Sequence, residues 1–164
     1  VVIFDDGENL EIAGARGSHQ FCAHLRVCVY DATLLRGQGL GIGGVAGYPD
    51  EPWFVVAKDL ERNVLIAAQG HDHPLLFCNT LEASQLHWVR GEPPLAPHRC
   101  RAKVRYRQHD QACTIKRIDG DNCAVEFDEP QRAVTAGQSV VFYDGDVCLG
   151  GGVIDATDQP EVLT

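Results

Sequence analysis

Arg99-Cys100-Arg101-Ala102-Lys103-Val104-Arg105-Tyr106-Arg107 alternates a cation with an apolar or aromatic residue across the whole stretch. Successive side chains of a β-strand point to opposite faces, so the stretch predicts one strand with a cationic face and a packed face carrying Cys100, Ala102, Val104 and Tyr106. Same-face neighbours in a strand stand about 6.5–7 Å apart, a spacing suited to successive anionic groups such as a phosphate backbone. The same pattern also suits a solvated strand face whose charges guard a sheet edge against aggregation.

Working outward, the period-2 reading continues. Trp53–Ala57 and Val64–Ala68 flank Lys58–Asn63 as a hairpin. Leu86–Val89, Ala112–Lys116, Cys123–Phe127, Ser139–Tyr143 and Val147–Leu149 read as further short strands. Asp119-Gly120 and Asp144-Gly145 fall between apolar runs, where Asp-Gly favours a tight hairpin turn. One helical turn is expected around Leu81–Gln85. Short strands separated by turn chemistry indicate a mainly β protein built on a small antiparallel barrel or sandwich. The Pro-rich run Glu92–Pro97 is either a boundary or a loop inside the second domain, and the boundary is set earlier, near Glu82. That gives a β-rich first domain (1–82), a second domain (83–158) and a tail (159–164).

The chain has 164 residues, a 45% apolar share and a formal charge of −9, enough for a core in one or two domains. Charge is strongly polarised. Residues 99–117 hold seven basic residues against one acid, while the rest of the chain holds seven against twenty-two. Local field, rather than the mean, governs binding to a polyanion. No stretch nears the roughly 20 apolar residues of a membrane span. The start, Val1-Val2-Ile3-Phe4, lacks a secretory n-region, and with no Met in the chain it is expected to be a piece of a longer one. Seven cysteines without a CxxC pair suggest a reducing, cytoplasmic compartment. Cys100, Cys113, Cys123 and Cys148 are expected as small core residues.

The motifs of self-contained catalysis are missing from the sequence: no pyrophosphatase loop, no GxSxG elbow, no HExxH. His71-Asp72-His73 with Cys78 is the nearest approach to a metal set, but Gly70 and Pro74 place it in a turn, and no metal site is assigned. The run Gly37–Gly44 lacks the GxxxxGK[ST] spacing of a phosphate loop. It reads as a turn, or as a loop that lets backbone approach a partner closely.

Eight segments occur in order: GLGIGG (39–44), PWFVVAKD (52–59), QGHDHPLL (69–76), ASQLHWV (83–89), KVRYRQ (103–108), FDEP (127–130), AVTAGQSVVFY (133–143) and VCLGGGV (147–153). Together they resemble the C-terminal half of bacterial tRNA-specific 2-thiouridylases, over roughly residues 37–155; residues 1–36 match poorly. The resemblance implies a central β-rich domain followed by a six-stranded antiparallel β-barrel. In that family an upstream domain uses ATP and Mg2+ to activate the wobble uridine, and a persulfide sulfur-donor protein supplies the sulfur. None of this chain's cysteines matches a functional motif, so no catalytic residue and no cofactor is assigned to it. The resemblance carries tRNA contact onto Arg105, Tyr106 and Gln138. Lys103, Arg107 and Arg101 join them from the cationic stretch. tRNA is the expected partner, with no DNA and no membrane. The alternative is a degenerate relative serving as a protein-interaction β-barrel.

Overall fold

The structure, a computed structural model, describes residues 2–4, 10–12, 24–28, 36–40, 51–59 and 64–159. The chain divides between Leu76 and Phe77 into two compact units. Strands supply nearly all the regular structure described in both, in line with the mainly β expectation.

In the first unit, β1 (Val2–Phe4), β2 (Leu10–Ile12), β3 (His24–Cys28), β4 (Trp53–Asp59) and β5 (Val64–Gln69) form a sheet in the order β2-β1-β3-β5-β4. The expected β4–β5 pairing is antiparallel, with Trp53 opposite Gln69 and Asp59 opposite Val64. Residues 60–63 of that hairpin lie outside the described residues. Trp53, Phe54, Val55 and Val56 are consecutive and all buried, so both faces of β4 are covered. The free edge of β4 is met by the start of the glycine run. Gly37 and Leu40 donate from their amides to Val55 O and Trp53 O, and Gln38 O accepts from Val55 N. Residues 41–44 of the run lie outside the described residues.

The second unit begins with β6 (Phe77–Trp88), followed by β7 (His98–Lys103), β8 (Gln111–Asp119), β9 (Asn122–Arg132), β10 (Ser139–Asp144) and β11 (Val147–Thr157). These close into a six-stranded barrel in the order β10-β11-β6-β9-β8-β7. Every neighbouring pair is antiparallel. Closure leaves no row of unpaired backbone groups at an edge. Asp158 Oδ1 helps seat the β11 terminus by accepting from the amides of Asn79 and Thr80, at 2.8 and 2.9 Å.

Two sequence expectations change here. Leu81–Gln85 is not a helical turn but the middle of β6, where Gln85 takes a φ of 52° beside an irregularity in the ladder. Glu82 therefore lies inside a barrel strand, opposite Ala124, and the unit starts at Phe77 instead.

The hairpin turns form where Asp-Gly predicts them, displaced by one residue. Asp119 and Asp144 are the last paired residues of β8 and β10, opposite Asn122 and Val147. The two-residue loops are Gly120-Asp121 and Gly145-Asp146, and the glycines hold φ of 56° and 55°.

Gly150, Gly151 and Gly152 sit inside β11, wedged between β6 and β10. A Cβ on Gly151 would stand 2.3 Å from Val140 O, and one on Gly152 would stand 2.5 Å from Ser84 O. The strands approach that closely only because no side chain intervenes.

The barrel core holds Leu81, Ile115, Val125, Phe142 and Ile154, all at most 1% exposed. Trp88 stacks on Phe142 with ring centroids 5.9 Å apart. Fully burying a side chain of this size contributes about 1.5–3 kcal/mol. Cys100, Cys113 and Cys123 belong to this core as expected, but Cys148 is exposed. It follows the β10–β11 turn, before β11 turns inward at Gly150.

Candidate nucleic-acid interface

The antiparallel path sorts the barrel's connections between its two ends. β7 runs towards Lys103, β9 towards Arg132, and both β6 and β10 begin at that same end. The β7–β8 loop (104–110) and the β9–β10 loop (133–138) therefore share one end. The β6–β7 loop (89–97) and the two tight hairpins occupy the other.

The nine-residue strand predicted at Arg99–Arg107 stops at Lys103. Ala102 is the last residue of β7 paired with β8, opposite Gln111, and the chain must turn to reach it. The turn closes through the Gln108 amide donating to Arg105 O at 3.2 Å. Cys100, Ala102 and Val104 do face the core, at 6%, 0% and 2% exposure. Tyr106, expected on that packed face, is instead 97% exposed. The turn breaks the two-residue alternation after Val104 and carries the ring into solvent.

The cationic row is also divided by its partners. Arg99 forms a two-pronged ion pair with Asp128. Arg101 pairs with Asp110, Nε to Oδ2 at 2.5 Å, and donates from Nη2 to Asp110 O. The Arg99 hydrogen bond, opposed by partial desolvation, holds the Asp128 carboxyl below its usual range. Lys103 Nζ stands 5.4 Å from the centroid of Tyr143 on β10, within cation–π range. Arg105 is half-buried, and its Nη2 donates to Ala133 O at 2.7 Å. Desolvation, and then the nearby charge of Arg132, lowers its pKa from the ordinary value. Arg107 is exposed.

A second link ties the two loops. Gln108 Nε2 donates to Gln131 Oε1 at 2.9 Å, and Gln131 Nε2 donates to Glu129 O at 2.8 Å. Gln131 is 3% exposed, and sequence reading gave no sign of its role. A glutamine near a strand end carries no distinguishing pattern. Gln138 lies in the adjoining β9–β10 loop, where Gly137 has a φ of 85°. Its backbone is fixed, with Gln138 N donating to Thr135 O and Gln138 O accepting from Ile154 N. The structure thus brings Arg105, Tyr106, Arg107 and Gln138 to one end of the barrel, with Lys103 at its rim. Arg101 belongs to the paired part of the row.

No group of three or more His, Cys, Asp or Glu side chains able to hold a metal is found among the described residues. His71 packs against Phe54 with the rings tilted at 56° and their centroids 4.7 Å apart, and His73 Nδ1 accepts from the Leu75 amide. No described helix is long and apolar enough to cross a membrane.

Residues 78–154 match the family model described as the aminomethyltransferase beta-barrel domain. The tRNA-specific 2-thiouridylase MnmA of Francisella philomiragia is 62% identical over 122 residues, covering 74% of this chain and 34% of the relative. Those of Chromohalobacter salexigens and Marinobacter nauticus are 55% and 61% identical over 134 and 125 residues. They cover 82% and 76% of this chain, and 34% and 32% of their own lengths. The chain spans about a third of the length of these relatives.

Proposed function

The chain is related to the tRNA-specific 2-thiouridylases through its C-terminal part, and from that relation we propose that its barrel binds tRNA and positions it for 2-thiolation of the wobble uridine. The observation that carries this reading is Tyr106, an aromatic ring 97% exposed on a loop beside Arg107 and Lys103. Burying an aromatic is favourable in a monomer, so a ring held in water beside cations suits stacking on an unpaired base. Arg107 and Lys103 supply the sequence-independent attraction to phosphate, and Gln138 offers a polar contact from the adjoining loop. Phosphate contacts set register, and holding the substrate in register lowers the entropic part of the barrier for chemistry performed elsewhere.

ATP, Mg2+ and the persulfide donor of the thiolation reaction are assigned to no residue of this chain. The described part of the glycine run spends the Gly37 and Leu40 amides on β4, which does not fit a phosphate cradle. The same reading places the protein in the cytoplasm with its tRNA.

The reading is tested by binding of this chain to unmodified tRNA with a uridine wobble base across a salt series. Affinity should fall steeply with salt. Tyr106→Ala should weaken it by about 1–3 kcal/mol, the range for one base–aromatic stack. Absence of binding at low salt would reject the reading.

A second reading, a protein-interaction barrel, has one observation in its favour. Val89, Leu95 and Val147 are exposed at the opposite end, at 62%, 92% and 52%. They accompany a cavity of about 350 Å3 walled in part by Trp88, Pro93, Pro94 and His98. Stable protein complex formation without tRNA affinity would favour it.

A further inference from the structure

We propose that Arg105 and Gln131 are positioning residues that latch the Tyr106 loop, and that Arg105 serves RNA binding through this latch rather than as a phosphate contact. The inference rests on the reading that this end of the barrel binds tRNA.

The loop is held by two side-chain links that straddle Tyr106 and Arg107. On one side, Arg105 Nη2 donates to Ala133 O. On the other, Gln108 Nε2 donates to Gln131 Oε1. Both anchors lie at the end of β9, two residues apart, and both are buried, Gln131 at 3% and Ala133 at 0% exposure. Gln131 is itself fixed by donating to Glu129 O, so its amide presents the oxygen to Gln108. Ala133 O accepts a second hydrogen bond from Thr135 Oγ1 at 3.2 Å. Ala133 holds a φ of 55°, a conformation that disfavours L residues. Its carbonyl is thereby fixed in place, with two donors converging on it.

Arg105 is poorly placed to act as a phosphate ligand in addition. Its guanidinium is turned onto a backbone carbonyl and partly withdrawn from water, and Arg132 adds a like charge nearby. Arg107, one turn position past Tyr106, is exposed. The work is divided accordingly. Tyr106 and Arg107 meet the RNA, while Arg105 and Gln131 remove the entropy cost of ordering their loop on binding.

The test measures tRNA affinity across a salt series for wild type, Arg105→Ala, Gln131→Met, Tyr106→Ala and the double variant Arg105→Ala/Tyr106→Ala. Thermal melting of each checks the fold. A latch predicts that Arg105→Ala lowers affinity about tenfold with the slope of log K against log salt unchanged. Gln131→Met, which alters no charge, should act the same way. Once Tyr106 is gone, Arg105→Ala should cost little more. A slope reduced by about 0.7–0.9, as for one lost phosphate contact, or additive losses in the double variant, would overturn the latch while leaving tRNA binding intact. Failure of wild type to bind would overturn the functional reading and this inference with it. An RNA-free check uses NMR order parameters of amides 105–108. The latch predicts a fall below about 0.6 in Arg105→Ala, and unchanged values would overturn it.

Discussion

The guanidinium of Arg99 grips both carboxylate oxygens of Asp128, reaching from β7 past Thr114 of β8 to β9. The pair is solvent-exposed, so it adds little to stability, but it decides what the cation is free to do. An arginine already forked onto a carboxylate has little charge left for a phosphate. Arg99→Ala should therefore change tRNA affinity less than about twofold and leave the salt slope unaltered. Arg107→Ala should lower that slope by about 0.7–0.9. Equal effects of the two substitutions would show that the row acts as an undivided stripe.

The glycines of β11 make a sharp stability prediction. Gly151→Ala would place a Cβ 2.3 Å from Val140 O, a backbone atom that cannot swing away. Overpacking typically costs about 1–3 kcal/mol and sometimes more, and here it also disrupts the β10–β11 ladder. Gly91→Ala meets nothing within 4 Å, and its φ of 82° is the sole obstacle, worth about 1–2 kcal/mol. Chemical denaturation should rank Gly151→Ala well below Gly91→Ala in stability.

Thiol reactivity should follow burial. Cys113 and Cys100 face each other across β7 and β8 with Sγ atoms 3.7 Å apart. That hydrogen bond and burial raise the Cys113 thiol far above the usual range. Burial pushes Cys123 up to about 11. Alkylation at pH 8, mapped by mass spectrometry, should modify exposed Cys148 rapidly and leave Cys100, Cys113 and Cys123 unmodified in the native protein. Labelling of all four at one rate would contradict the packed barrel.

How much of this was legible in the sequence depends on which force decides each feature. Alternation exposes side-chain period, so β4, β5, β8, β9 and β10 were found from their apolar residues and from Asp-Gly turns. The length of β6 and β11 was hidden. β11 crosses three glycines that carry no apolar signal, and β6 includes Gln85 with its left-handed backbone. Both exist because strand pairing in a closed barrel overrides local propensity. The cationic row was visible, but the end of β7 is set by where β8 begins. Tyr106 thus moved from an expected core position to the solvent. The partners Asp128, Asp110 and Ala133 lie 29, 9 and 28 residues from Arg99, Arg101 and Arg105. Spacing along one strand could not reveal them.

His73 makes the first unit sensitive to acid. Burial lowers its pKa below the ordinary value, and its Nδ1 accepts from the Leu75 amide, which needs a neutral ring. The unfolded chain binds the proton more readily, so stability is full above about pH 6.5 and declines as pH falls through that value towards the folded pKa. His73→Asn keeps an acceptor that does not titrate, and should flatten the decline between pH 7 and 5. An identical pH profile in the variant would remove His73 as its cause.

The most direct test of RNA binding at the Tyr106 end is photo-crosslinking of this chain to unmodified tRNA, with the protein adducts mapped by mass spectrometry. The account predicts adducts within residues 103–108 and 133–138, with Tyr106 foremost, and their loss at high salt. Adducts confined to the opposite end, at residues 89–97 and 145–147, would contradict it.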